Sequence, residues 1–338
     1  MNKRILFTKR NTAELVSIPE DVLGDGEVCV ETVFSAVSCG TERANIIGDL
    51  NINAAEPEPK KVCFPRGLGY SSSGIVRKVG KDVSSVSAGD KVCMLDSFHK
   101  KYNTLPENNV IKIPGDVSLE EAAFSRIATF PMAALRKTRV EIGESMLVMG
   151  QGTLGQIAVM LSKAAGAVPV IAADPVPEKR QSALMMGADY ALDPMLSDFP
   201  ETVKNITNGG VNCVIEVTGK GEGFNESLDC IAKFGRIALL GCTRDKNFTV
   251  DYYRKIHFPG ITVVGAHTNA RPVYESYPGY FTQRDDAEVF LGLLNFGRIS
   301  LKNFIAEPVS PSDCQSVYTR LINDPDFPQY TLFDWRNI

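Results

Sequence analysis

Residues 145–155 read SMLVMGQGTLG, and how they are read decides the fold. The apolar run Met146 to Met149 leads without a break into Gly150-Gln151-Gly152-Thr153-Leu154-Gly155, a G-x-G-x-x-G placed where a strand turns into a helix. Three glycines at this spacing are weak evidence alone, but the context is the one that dinucleotide binding demands. The first permits a tight turn, the second lets the main chain approach a pyrophosphate, and the third allows helix and strand to pack closely. The start of the helix then offers N–H groups to phosphate.

Working outward from this stretch, strands and helices alternate. SMLVMG, VPVIAAD, DYALD, VNCVIEVTG, RIALLGC and ITVVGAHT are apolar, and amphipathic segments such as GTLGQIAVMLSKAAGA and FPETVKNITNG lie between them. Continuous apolar strands joined by helices predict a parallel sheet covered on both faces, and six strands fit a doubly wound order. Ligands of such sheets lie outside the carboxyl ends of the strands. Those ends carry Thr218-Gly219, Gly241 and His267, which join Gly150, Gly152, Thr153, Leu154 and Gly155 as candidate cofactor-binding residues. The second strand ends at Asp174, nineteen residues beyond Gly155, where a carboxylate accepts hydrogen bonds from an adenosine ribose. Asp174 also reads as a turn former before Pro175, but the matched spacing favours the ribose and hence NAD. A 2′-phosphate would meet like charge there unless Lys179 or Arg180 compensates.

Ahead of this region the pattern differs. GEVCVETVFSAVSCG, SSGIVRKVG, AGDKVCML and NNVIKIPG are short β-rich runs broken by Gly, Pro and Asn. Ser118 and Glu121 form a capping box ahead of EEAAFSRIATFPMAALRK, so a long helix is expected from there. After about 271 the alternation stops, and the tail is expected to return to the first domain. The chain thus divides into 1–118, 119–270 and 271–338.

The 338 residues suit about two domains. A formal charge of -4 carries no basic excess, which argues against nucleic acid or an anionic membrane and leaves a small molecule as the expected partner. No apolar run is long enough to span a bilayer, and MNKRILFTKR lacks the core of a signal peptide, so a cytoplasmic protein is expected. Eight cysteines without a C-x-x-C pair read as reduced thiols.

Cys39-Gly40-Thr41, Gly69 to Val76 with Val79-Gly80, Gly89-Asp90-Lys91-Val92, Pro106-Glu107-Asn108-Asn109 and the glycine loop together resemble the medium-chain dehydrogenase/reductase family, the alcohol and polyol dehydrogenases. The resemblance covers nearly the whole chain. It implies an α/β protein: a GroES-like β-rich catalytic domain plus a Rossmann domain with a doubly wound, parallel six-stranded sheet. Members with a catalytic zinc hold it with a cysteine in C-G-T/S-D, a histidine in G-H-E, and a Glu, Asp or Cys near the helix that opens the second domain. Cys39 matches the first, but Tyr70 stands at the histidine, Ser71 at the following glutamate, and Arg126 at the third ligand. Phenol, hydroxyl and guanidinium do not make a tetrahedral zinc site, so no catalytic zinc is expected. The four-cysteine lobe of many relatives is missing between Val92 and Tyr102, where only Cys93 occurs. C-G-T-E-R with G-Y-x-S-x-G is also similar to the bacteriochlorophyllide dehydrogenase branch.

Without zinc, the hypothesis is that Tyr70 and Thr41 bind the substrate oxygen, Thr41 matching the relatives' relay hydroxyl; Tyr70 reads equally as a half-buried aromatic that packs the cleft floor. Cys39 completes the candidate catalytic set, with packing as its alternative role. A tyrosine titrates near ~10 and needs a nearby cation to act as a base at neutral pH; Arg126 or Arg43 is placed to provide one. His99, alone in a loop, reads as a surface residue, and Glu42 and Arg43 read as paired with each other or with solvent. Arg271 and Tyr274, in an aromatic-rich segment, read as reaching a sugar or as part of an ordered loop. Three functions stay open: an NAD-dependent, zinc-free dehydrogenase of polyol or sugar-like alcohols, a quinone- or enoyl-type C=C reductase, and a non-catalytic NAD-binding protein. The apolar last strand at a sheet edge predicts a homodimer.

Overall fold

In the computed structural model, which describes residues 1–52, 62–242 and 247–338, the chain forms two compact units. Unit one comprises residues 1–127 and 287–338, and unit two residues 128–286.

Unit one is built around β3. Asn2–Lys9 (β1) and Thr12–Ile18 (β2) form a hairpin, while Glu27–Ala36 (β3) pairs antiparallel with Ser71–Val79 (β4). Lys91–Leu95 (β5), Tyr102–Pro106 (β6) and Val110–Lys112 (β7) extend the sheet, and the C-terminal strand Leu332–Asp334 closes it against β3. β3 alternates buried and half-buried positions up to Val33, then buries Phe34, Ser35 and Ala36 in succession. The helix Cys39–Ile46 (α1) follows two residues later.

The long helix expected after Ser118 comes in two pieces. Ser118 caps it as predicted, its Oγ accepting from Glu121 N at 3.2 Å, but Leu119–Ala122 (α2) ends after one turn and Ser125–Thr138 (α3) starts anew. The break leaves the Ala123 carbonyl without an intrahelical partner, and the serines of β4 supply donors to it and, beside the Ala123 amide, to the Leu119 carbonyl. Ser71 Oγ donates to Ala123 O at 2.6 Å, Ser73 Oγ donates to Leu119 O at 2.6 Å, and Ser72 Oγ shares a proton with Ser97 Oγ at 2.5 Å. Glycine and serine are needed in this stretch because the backbones run close: a Cβ at Gly74 would overlap the Glu31 carbonyl oxygen.

Unit two is the parallel sheet that the sequence predicts. Met146–Met149 (β8), Val170–Ala173 (β9), Tyr190–Leu192 (β10), Val211–Glu216 (β11), Ile231–Leu239 (β12) and Thr262–Gly265 (β13) lie in the order β10-β9-β8-β11-β12-β13, every pair parallel. The order turns outward in both directions from β8 and β11, which is the doubly wound arrangement. Leu147, Ile171, Val214 and Ile237 fill the core with Phe199 and Leu228 from the covering helices.

The unit boundaries fall later than the motifs suggest, at 127/128 and 286/287 instead of 118/119 and 270/271. Hydrogen bonds explain the shift. The start of α3 is tied to β4, with Arg126 N donating to Ser71 Oγ at 3.2 Å. Residues 271–286 are tied to unit two, where the buried Asp286 carboxylate takes Arg136 Nε at 2.7 Å and Arg271 Nη1 at 3.3 Å. Among the described residues no helix is long and apolar enough to cross a membrane.

Candidate active site

In unit one, Ser38 stands at the N-cap of α1, and Cys39, Thr41 and Glu42 lie in its first turn. The hydroxyls of Ser38 and Thr41 both bond to that of Tyr70. The backbone before Tyr70 is unusual: Gly69 has φ +105°, and a Cβ there would overlap the backbone nitrogen and ring of His99. Burial pushes the Tyr70 phenol up to about 12, outweighing its bonds to Ser38 and Thr41 and the charge of Arg126, all of which pull it down. Tyr70 is therefore a neutral hydroxyl at physiological pH. The expectation that a cation turns it into a base is corrected. Arg126 has its guanidinium carbon 5.5 Å from the Tyr70 ring centroid, yet its Nε is 2.8 Å from Asp96 Oδ1, and Arg43 is exposed with Nη2 3.4 Å from the Ile322 carbonyl.

Behind this hydroxyl cluster lies a second network that overturns two sequence expectations. His99 is buried, not a surface residue, and Glu42 is wholly enclosed, not paired with Arg43. Glu42 Oε1 accepts from Ser38 N at 2.9 Å, Oε2 accepts from Tyr318 OH at 2.7 Å, and His99 Nε2 lies 3.1 Å from Oε2. The other imidazole nitrogen is 2.7 Å from Ser35 Oγ, which accepts from Trp335 Nε1 at 2.8 Å. Indole only donates, so the Ser35 proton is left for His99 Nδ1, and the imidazole proton sits on Nε2 facing Glu42. Ser35, His99 and Glu42 have the groups of a hydrolytic triad, but the enclosed Ser35 hydroxyl is already engaged by both His99 and Trp335. The network instead fixes Ser38 and, through it, Tyr70. Cys39 is half-buried, its Sγ 3.9 Å from Val37 O and 3.7 Å from Gln329 O.

In unit two, Gly150 has φ +98°, and Gly152 leads into the helix Thr153–Ala164 (α4). A Cβ at Gly155 would overlap the Gly150 carbonyl oxygen, which is the close helix-to-strand packing expected of the third glycine. Asp174 is buried beside the loop, Oδ2 accepting from Gln151 N at 2.8 Å and Oδ1 from Val176 N at 2.9 Å. Each oxygen keeps a further lone pair for a ribose hydroxyl. Arg180 is committed elsewhere, with Nη1 2.8 Å from Asp174 O, 2.9 Å from Pro175 O and 3.3 Å from Asp193 Oδ2; Lys179 is half-buried. Thr218 and Gly219 are held by a buried residue that sequence reading missed, Glu216, whose carboxylate takes Thr218 N at 2.7 Å, Gly219 N at 3.2 Å and the Thr218 hydroxyl. Burial raises the Glu216 carboxyl above its ordinary range, against these donors. Gly241 packs on Gly219, where a Cβ would overlap Gly219 N, and His267 is exposed at the end of β13, its Nδ1 accepting from Asn269 N at 3.2 Å. Arg271 is buried in its pair with Asp286 and donates to Thr129 O at 2.5 Å, so it anchors its segment and does not reach out for a sugar; Tyr274 is fully exposed.

Residues 153–282 match the zinc-binding dehydrogenase family. Nearly the whole chain is similar to D-guloside 3-dehydrogenase of Escherichia coli (strain K12), 26% identical with 95% of this chain and 96% of the relative covered. The fold is shared with two solved structures. One is a putative zinc-binding dehydrogenase from Sinorhizobium meliloti 1021 bound to NADP (TM-score 0.78, 20% identity, 99% of each chain); the other is described as a short chain alcohol dehydrogenase of E. coli CFT073 complexed with NADH (TM-score 0.82, 17% identity, 98% and 99%).

Unit two thus carries the match to the zinc-binding dehydrogenase family, and nearly the whole chain is similar to medium-chain, alcohol-dehydrogenase-like enzymes of that type. The chain is an oxidoreductase, and the glycine loop with Asp174 fits the nicotinamide cofactor of such dehydrogenases. The zinc that gives the family its name fits less well. Of the positions that hold it in metal-dependent members, Cys39 alone offers a suitable donor. Tyr70 is a neutral phenol bonded to Ser38 and Thr41, Ser71 spends its proton on Ala123 O, and Arg126 is a cation on Asp96. One thiol with these neighbours falls short of the three protein ligands, thiolate, imidazole or carboxylate, that a catalytic zinc takes.

Proposed function

We propose that the protein transfers a hydride between NAD and a secondary alcohol or ketone of a polyol or sugar-like substrate, with hydroxyl groups serving where metal-dependent relatives use zinc. The observation that carries this reading is the neutral Tyr70 hydroxyl, held by Ser38 and Thr41 at the position of a metal-binding histidine. A sugar-type substrate is supported by the relative named D-guloside 3-dehydrogenase. NAD is favoured over NADP by the buried Asp174 carboxylate, which would repel a 2′-phosphate, and by the commitment of Arg180 to carbonyls and Asp193.

The bound cofactor supplies the hydride acceptor or donor. The chain supplies the rest. Tyr70 OH donates to the reacting oxygen and stabilises negative charge as it develops there. In the reducing direction its proton passes to the new alcohol and is replaced through Ser38 or the solvent-exposed Thr41; in the oxidising direction the alcohol proton leaves along the same hydroxyls. The test is a panel of sugar alcohols and polyols monitored for NADH formation, with metal content measured on the same preparation. Turnover without stoichiometric zinc is expected. One tightly held zinc per chain that is lost on replacing Cys39 would overturn the hydroxyl mechanism.

A further inference from the structure

Tyr330 lies just before the C-terminal strand of unit one, 2% exposed, and its hydroxyl has no hydrogen-bond partner among the described residues. The ring itself is well held. It meets Phe124 edge-on at 5.5 Å between centroids and Phe304 at 6.1 Å, and the Tyr330 carbonyl accepts from Ala306 N at 3.1 Å. A buried hydroxyl without a partner is costly, and phenylalanine would fill this position more cheaply. The surroundings point to what the hydroxyl is kept for. Cys39 Sγ rests 3.7 Å from the carbonyl of the preceding residue, Gln329, and a charge on Cys39 would raise the Tyr330 phenol beyond what burial does. Cys39 stands between Ser38 and Thr41, the two residues that hold Tyr70. The chain at Tyr330 thus runs beside the same short segment that holds Tyr70. Tyr70 is bound into the hydroxyl relay, while Tyr330 lies outside it.

We propose that Tyr330 is a substrate-binding, specificity-determining residue whose hydroxyl binds a second substrate oxygen, on the carbon next to the reacting one, so that the site selects vicinal diols over simple alcohols. This rests on the dehydrogenase reading above and adds a substrate class to it. Since Ser38 and Thr41 already occupy Tyr70, the Tyr70 proton serves a single oxygen; the separate donor of Tyr330 serves another. No covalent step is assigned to Tyr330. Its contribution is discrimination: the hydroxyl is unpaired in the free protein and stays so with a mono-alcohol, whereas a vicinal diol gives it a partner, so only the diol gains the bond.

The experiment measures kcat/KM with NAD for a panel of cyclic vicinal diols and sugar alcohols, each paired with its mono-hydroxy counterpart, in the wild type, Tyr330→Phe and Tyr70→Phe. Tyr330→Phe is expected to lower kcat/KM for diols roughly 10-fold or more while leaving the mono-alcohols within about 3-fold, so that the preference collapses. The same variant, relieved of an unpaired buried hydroxyl, is expected to raise the melting temperature of the ligand-free protein by about 2–4 °C. Unchanged diol preference in Tyr330→Phe, or an equal loss on both substrate classes, overturns the proposal, and a buried water or a residue outside the described segments as the hydroxyl's partner would give the first of these results. If that happens while Tyr70→Phe is inactive, the dehydrogenase reading stands without it. Failure of the wild type to turn over any member of the panel counts against both.

Discussion

His99 Nε2 lies 3.1 Å from the Glu42 carboxylate, and neither side chain has more than 1% of its surface open to solvent. A carboxylate so enclosed survives only because donors surround it: Ser38 N, Tyr318 OH and His99 itself. Glu42→Gln puts an NH2 group where every neighbour also donates. This variant is expected to lose about 3 kcal/mol of stability in urea unfolding. Its kcat is expected to fall as well, because a single amide oxygen cannot serve Ser38 N, Tyr318 OH and His99 Nε2 together, and Ser38 is held less firmly. Full stability in Glu42→Gln would mean that the network is not the prop described here.

Tyr70→Phe removes the hydroxyl and keeps the ring. A loss of 10²–10³-fold in kcat is expected, the size typical of removing one donor to a developing oxyanion, with the dissociation constant for NADH unchanged. Retained kcat would move the chemistry to another group.

The same tyrosine carries a pH signature. Its folded-state value, about 12, exceeds the ordinary value near 10, so the folded chain holds the proton more tightly than the unfolded one. The associated stability is complete below pH 10 and disappears as pH rises from about 10 through 12, by roughly 1–3 kcal/mol. Comparing unfolding of the wild type and Tyr70→Phe across that range isolates this share from the other buried phenols and thiols. Parallel curves would show that Tyr70 titrates normally.

Asp174→Ala is expected to weaken NADH binding about 10-fold or more and to erase preference over NADPH, as read by fluorescence titration of both. Because the carboxylate also holds Gln151 N and Val176 N, part of the loss will come from a looser glycine loop. Unchanged preference would remove Asp174 from the ribose assignment.

β13 ends the sheet of unit two, and Thr262, Val263 and Gly265 along it are exposed. A homodimer paired through that edge is expected. Light scattering on the eluting protein checks it, and a monomer mass at micromolar concentration would rule it out.

What sequence made legible follows the range of the physics involved. The glycine loop, Asp174 and the Ser118 cap are local patterns whose geometry depends on residues a few positions apart, and each stands where spacing puts it. The doubly wound sheet follows from apolar runs of strand length. His99 and Glu42 are separated by 57 positions, and Tyr318 lies 276 from Glu42, so no periodicity joins them. A histidine in a loop gives no sign that a backbone turn at Gly69 will close over it. The roles of Arg126 and Arg271 are hidden for a related reason: a cation's role depends on whether a carboxylate, Asp96 or Asp286, reaches it first, and of the two readings open for Arg271 its pair with Asp286 supports the ordered loop. Ser38 was overlooked although it directly precedes the C-G-T motif, since a serine before a helix reads as a cap and nothing more.

Building a histidine–glutamate metal site at 70 and 71 would not be a matter of exchanging those two side chains. Ser71 is also the tie that quiets the Ala123 carbonyl where the helix is interrupted and receives the amide of Arg126. A glutamate at 71 would strand that carbonyl, shift the opening of α3, and with it displace the residue at 126 that would have to become the third ligand. Any engineer adding zinc must therefore redesign the helix junction first.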